Sequence, residues 1–308
     1  MTCSDATRRR WAKSGDQVDS KQPVPKPATT ARTVTWHDID EWRRDNKFIL
    51  AGYRPSGDFW QAFESLTFLH NETCNVCTHL IGSVVLPLFA SDVLRAMSAS
   101  QYTKRTDFVM FGVFFISAEI CLVFSASYHL LESHSYEVER LWHQMDLLGI
   151  VIATVGTFVP GIYYIFNCEP LLQKMHWTMA IVCGSATAAL ISIPKCRTLQ
   201  WRSRRTAAYV ALGASALIPM LHGVHRYGLE HMLGYAGIKW YLLELILYGG
   251  GAAIYASRVP ERFAPGLFDM WLSSHQIFHV SILCAMYVHT IALKETLTAS
   301  RTLVMCQT

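Results

Sequence analysis

Seven stretches of mainly apolar residues recur along the chain, at about 79–95, 108–130, 147–167, 176–194, 207–224, 240–257 and 272–293. Each runs for about 17–23 residues, enough to cross a hydrocarbon core of roughly 30 Å as a helix. Inside lipid only helices and closed barrels satisfy their own backbone hydrogen bonds, and no barrel-like alternation is present. The expected fold is therefore an all-α membrane protein, a seven-helix transmembrane bundle. Charge usage agrees: 16% of the residues are charged and 51% hydrophobic, where an ordinary soluble domain carries about a quarter charged residues. A nucleic-acid partner is not expected. The first and fourth runs are the shortest, and Pro87, Gly156, Pro160, Pro194 and Pro219 within or beside the runs predict kinks.

The loop charges set an orientation. With seven spans the N-terminus shares a side with the second, fourth and sixth loops, and that side holds twelve Lys or Arg near the spans against eight on the other. The excess predicts a cytosolic N-terminus and an extracytosolic C-terminus, the reverse of a G-protein-coupled receptor. Within that frame the chain divides into four parts. Residues 1–34 read as a disordered cytosolic tail with little to bury, its Arg8-Arg9-Arg10 triplet solvated. Residues 35–73 read as a cytosolic lead-in: Trp36, Ile39, Trp42, Phe48 and Ile49 among charges suit an amphipathic helix or clamp, begun or capped by Asp38 or Asp40, and 59–68 repeat the amphipathic pattern. Residues 74–295 form the bundle, and 296–308 a short extracytosolic tail. The first sixty residues contain no apolar stretch of the kind that makes a signal peptide.

The last run opens with His275-Gln276-Ile277-Phe278-His279. Histidines four apart lie on one helix face, one turn above the other, and can share a metal ion. A third ligand must come from the same depth. The second run ends at Ser125-Ala126-Ser127-Tyr128-His129 on the side where the seventh begins, and the third run begins there with Met145-Asp146. An ionisable group within a span is expensive unless paired or bound, so these residues are functional candidates.

In this order, Ser125 and His129 with His134-Ser135 following, Asp146 in Met-Asp-Leu-Leu-Gly-Ile, and His275 and His279 with Tyr287 and His289 downstream resemble the progestin and adipoQ receptor family, also called the hemolysin III-related family. Ile49-Leu-Ala-Gly-Tyr-Arg-Pro55 and His70-Asn-Glu-Thr-Cys-Asn-Val-Cys-Thr-His79 are similar to the adiponectin receptor branch, and the whole to its fungal members. The likeness covers about 45–293, and Cys74-x-x-Cys77 departs from it. It implies a seven-helix bundle in the orientation reached above and a zinc ion on His129, His275 and His279 near the cytosolic side. It further implies that Asp146 holds the zinc-bound water and that Ser125 hydrogen-bonds within the same site. The substrates it points to are ceramide-like sphingolipids, giving a free fatty acid and a sphingoid base.

Three imidazoles and one open position are the usual arrangement of a catalytic zinc, which lowers the pKa of a water to about 7. Asp146 is the only carboxylate within a span well placed to serve as base, since Gln276 stands where zinc proteases with this histidine spacing carry Glu. Two functions follow: a zinc-dependent amide hydrolase acting on lipid, or a receptor in which zinc only staples the bundle, with an extracellular protein ligand and homo-oligomers compatible with either. A pore ranks third, because no span carries a polar stripe. Plasma membrane and endoplasmic reticulum both fit. Elsewhere, His222, His225 and His231 read as solvated loop histidines, His134 as facing the cytosol, and His79 and His289 as interhelical donors. Arg197 to Arg205 reads as a topogenic loop and Gly249-Gly250-Gly251 as a packing site. Cys168 and Cys306 are within reach of pairing, with two free thiols preferred, and Cys74 and Cys77 read as two buried thiols.

Overall fold

The computed structural model describes residues 32–302, so the expected disordered tail lies outside them except for residues 32–34, as do Cys306 and the last six residues. Ten α-helices occur among the described residues: α1 Phe59–Glu64, α2 Thr73–Ser98, α3 Arg105–Leu131, α4 Tyr136–Ile165, α5 Pro170–Ser192, α6 Arg202–Ala214, α7 Leu217–Tyr227, α8 Leu229–Gly234, α9 Ile238–Ser257 and α10 Ser274–Thr302. Six segments are long and apolar enough to cross a membrane, with α6 and α7 counted together as the fifth of the seven apolar runs. The 20-residue α9 is the remaining long helix and answers to the sixth. The chain is an integral, multi-pass membrane protein. Because α10 continues to Thr302, residues 296–302 are helix and not the expected tail.

The distribution of side chains is inverted relative to a soluble protein. On α2, Ile81, Val84 and Leu88 stand 60%, 60% and 65% exposed at helical spacing, while Asn75 and His79 are buried on the opposite face. Apolar stripes turned outward suit lipid, and polar groups turned inward find partners. Long helices that follow one another in the chain pack side by side, and α10 closes the ring against α2. Small residues let the backbones approach. At Gly156 on α4 a Cβ would overlap the Ser117 hydroxyl of α3. At Gly251 on α9 it would meet Ser281 Cβ of α10 at 2.8 Å, whereas Gly249 and Gly250 face open space. Only one residue of the expected glycine packing site therefore packs.

The fifth apolar run is broken, not merely kinked. Pro219 has no N–H to offer the carbonyl four residues back, so the ladder lapses at Ser215 and Ala216, between α6 and α7. The Ser215 hydroxyl donates back to the Leu212 carbonyl at 2.6 Å and closes the end of α6.

Of the two forms expected for the lead-in, helix or clamp, the structure has the second. Residues 35–50 form a clamp and no amphipathic helix: Val34 and Tyr53 exchange backbone hydrogen bonds, Trp36 N–H donates to the Leu50 carbonyl, and only Glu41–Arg43 makes a single 3₁₀ turn. Asp38 accepts from Thr35, and Asp40 from Ser56, so neither side chain caps a helix. The 59–68 stretch is helical as expected, through α1, with a capping box between Asp58 and Gln61.

This clamp seats on the end of the bundle where α3 finishes and α10 begins. Arg54, 3% exposed, donates to the carbonyls of His129 (2.6 Å) and Leu130 (2.8 Å), the orphan acceptors at the end of α3, and to Ser65 Oγ (3.0 Å). From the α9–α10 loop, Asp269 accepts the N–H groups of Leu50 and Ala51, and Glu261 accepts from Asn46, from Ser274 N–H and from the Ser274 hydroxyl.

His70, in the same layer, is buried, and its Nδ1 accepts the Glu72 N–H at 3.2 Å. Burial, aided by Arg54, pushes its pKa down from 6.5 to about 3. Between those values the unfolded chain binds the extra proton, so this contribution is present above about pH 6.5 and is lost as pH falls toward 3. We expect proteolytic cleavage of the lead-in to accelerate from pH 7.5 to 5.5, and a His70→Gln variant to show a flatter profile. An unchanged profile in the variant would assign the sensitivity elsewhere.

Candidate metal centre

His129 comes from the last turn of α3, and His275 and His279 from the first two turns of α10. Their ring centroids form a near-equilateral triangle of 4.8, 4.8 and 4.9 Å, with planes inclined by 71–78°. One nitrogen from each lies within 4.8 Å of the other two. His129 and His279 are buried and His275 is half-buried.

The second nitrogen of two of these rings is engaged elsewhere. His129 Nδ1 lies 2.8 Å from Glu72 Oε2, and Thr78 Oγ1 stands 3.3 Å from His279 Nδ1. A carboxylate on Nδ1 fixes the tautomer, so that Nε2 offers its lone pair to the centre of the triangle. That Nε2 of His129 is buried and has no hydrogen-bond partner. An orphaned lone pair aimed at two further imidazoles is what a bound metal ion would satisfy. Two carboxyl groups, Glu72 and Asp146, also stand at the site without a Lys or Arg paired to either among the described ion pairs, and a divalent cation would supply the positive charge. The residues present therefore fit a metal ion, and an all-imidazole donor set suits zinc, copper, nickel or iron.

Asp146, on α4, is not in the converging set. The Ser125 hydroxyl, one turn before His129, is its polar neighbour, and Asp146 lies within electrostatic reach of His129. Both Ser125 and Asp146 face the cavity onto which the three histidines open.

Glu72 was not among the sequence candidates. It heads α2, where Asn75 Nδ2 also donates to its Oε2 at 2.7 Å. Depth alone could have found it, since the first span starts at the bundle end where the second finishes. Glu72, His129 and Glu132 form a second group able to hold a metal, but Glu132 also lies 3.5 Å from both Arg43 and Arg54, cations that disfavour a metal there.

The cavity measures about 770 Å³. It runs from Trp42 and Asp45 of the lead-in, past the histidines, to Ile162, Met220 and Tyr241 deep between the helices. Its volume is that of sites for large small-molecule ligands.

Residues 67–290 match the family model described as Haemolysin-III related. The chain belongs to that family. It is 34% identical over 86% of its length to Progestin and adipoQ receptor-like protein 1 of Caenorhabditis elegans, and 34% over 84% to ADIPOR-like receptor IZH2 of Saccharomyces cerevisiae. Over 84% of its length it is 31% identical to Heptahelical transmembrane protein ADIPOR1 of Oryza sativa, a name that agrees with the seven apolar runs counted here. The matches span 82% of the yeast and rice proteins but only 61% of the nematode one.

The other polar residues fall as follows. His289 is an interhelical hydrogen-bonder as expected, its Nδ1 2.8 Å from Glu244 of α9. His79 instead stacks on His279, ring centroids 3.8 Å apart, and neither of its nitrogens has a hydrogen-bond partner. His134 is half-buried against Phe59 of α1, which the clamp brings over it. His222 is no loop histidine: it lies on α7 with its Nδ1 3.0 Å from Nε2 of the buried His176 of α5. Cys168 is disulfide-bonded, against the expected free thiol, with a partner outside the described residues. Cys74 and Cys77 are free as expected, though half-buried and not fully so.

Proposed function

We propose that the three histidines bind a zinc ion and that the centre hydrolyses the amide bond of a ceramide-like lipid drawn into the cavity. The observation that carries this reading is the combination of three converging imidazoles with a carboxyl group, Asp146, that stands beside them outside the ligand set. Structural zinc sites are closed by four protein ligands, whereas three histidines leave a position open. When bound, zinc acidifies a water and polarises a carbonyl within reach. Asp146 accepts the proton of the attacking water and returns it to the leaving nitrogen, and the Ser125 hydroxyl holds that carboxylate in place. Glu72 holds His129 in the required tautomer. The lining beyond the site, with Ile150, Ile162 and Met220, takes an acyl chain. The products are a fatty acid and a sphingoid amine, on the side we assign to the cytosol from the loop charges.

Asp146→Asn should lower ceramide hydrolysis by about 10²–10⁴-fold while the purified protein keeps one zinc per chain by mass spectrometry. Hydrolysis that survives the substitution would remove Asp146 from the chemistry. Zinc at full occupancy with no fatty-acid release even from wild type would leave a receptor whose metal staples α3 to α10.

A further inference from the structure

The cavity does not end in hydrocarbon. At its deep end Glu244 and Tyr241 of α9 meet His289 of α10, and all three line the same cavity as His129, His275 and His279. They are 7%, 8% and 1% exposed. The Glu244 carboxylate takes up His289 Nδ1 at 2.8 Å, which leaves His289 Nε2 as an acceptor, and that atom has no partner. The Tyr241 hydroxyl has none either: the Thr296 hydroxyl beside it donates to the Ala292 and Leu293 carbonyls. The two rings lie 5.7 Å apart, centroid to centroid. A pair whose whole purpose was to tie α9 to α10 would not hold an unsatisfied acceptor beside an unsatisfied donor on a cavity wall, since buried polar atoms without partners are costly.

The wall between the two polar ends is apolar. Along one face of α10 the cavity is lined in succession by His279, Ile282, Met286 and His289, at spacings of three, four and three. Ten residues of helix separate the two histidines by about 15 Å, the length of roughly a dozen carbon–carbon bonds in an extended chain.

We propose that Tyr241, Glu244 and His289 form a second polar subsite that takes a hydroxyl carried about 15 Å along a long-chain amphiphile whose head group sits at the three histidines. A hydroxyl is the complement of this pair, since it donates to His289 Nε2 and accepts from Tyr241 O–H at once. Glu244 acts through His289 by fixing its tautomer. The inference rests on the reading that a lipid occupies the cavity, and it narrows that lipid to hydroxylated chains.

The test compares octadecanoic acid with 12-hydroxyoctadecanoic acid, binding to the purified full chain in nanodiscs, in wild type, in Tyr241→Phe and in the double variant Glu244→Leu/His289→Leu. The double change removes both buried partners together and avoids stranding one of them. Wild type should bind the hydroxy acid about tenfold more tightly than the plain acid, and in both variants the ratio of the two affinities should fall to about one. Equal binding of the two acids to wild type, or a preference that persists in both variants, overturns the subsite and leaves the lipid reading standing. Binding of neither acid overturns the lipid reading and the subsite with it.

Discussion

His279→Ala should strip the metal from the purified protein. Zinc sites built entirely from protein ligands bind with about 10–16 kcal/mol, so one ligand in three or four carries roughly 3–4 kcal/mol, a loss of several hundredfold in affinity. After dialysis against a mild chelator, wild type should retain close to one zinc per chain and the variant almost none. The geometry also predicts a ranking. Glu72→Gln keeps all three ligands but replaces the carboxylate on His129 Nδ1, and loss of such a partner costs about 10–100-fold. Asp146→Asn, outside the converging set, should leave occupancy unchanged. A different order, with Asp146 ahead of His279, would mean that the metal sits nearer α4 than the histidine triangle.

That ranking depends on residues of unequal visibility in the sequence. His275 and His279 are legible because helical periodicity alone puts them on one face. His129 and Asp146 follow from counting spans, since membrane depth is a coordinate the sequence carries. Glu72 could have been reached by the same count, but depth does not say where a side chain aims. Its orientation comes from the turn at His70 and Asn71, and the lead-in holds that turn through Gly52, whose carbonyl accepts the Asn71 N–H at 2.9 Å. The clamp itself has no period. Its apolar residues at 36, 39, 42 and 49 mimic a helical face, yet Trp36, Ile39, Ile49 and Tyr53 cluster through an irregular backbone, and burial overrides local propensity there. The break between α6 and α7 was readable in part, from Pro219. The pairing of His222 with His176 was not, because it depends on the direction α7 takes after the break.

The clamp is also where the largest loss of stability is expected. Arg54→Met removes a fully buried guanidinium that bonds three oxygens from two parts of the fold and lies 3.5 Å from Glu132. Removing one member of a buried charged network costs about 3–5 kcal/mol, chiefly because the partners stay behind unsatisfied. Here they are the last carbonyls of α3 and a carboxylate left to Arg43 alone. Arg54→Lys should restore little of it, since one ammonium cannot span Ser65 Oγ and two successive carbonyls as the planar fork does. Arg43→Met is the comparison: its guanidinium, equally buried, donates to the Arg54 carbonyl at 2.7 Å and lies 3.5 Å from Glu132, two partners against the four of Arg54, so a smaller loss of about 1.5–3 kcal/mol is expected. One of the stranded carbonyls belongs to His129, so the Arg54 variant should also hold zinc less tightly, although Arg54 touches no imidazole of the site. Thermal unfolding in detergent, followed by metal analysis of the same samples, measures both effects. If Arg54→Met melts with wild type and keeps its zinc, the lead-in merely rests on the bundle. If melting and zinc retention fall together, the cytosol-assigned segment and the metal centre are one cooperative unit, coupled through the end of α3.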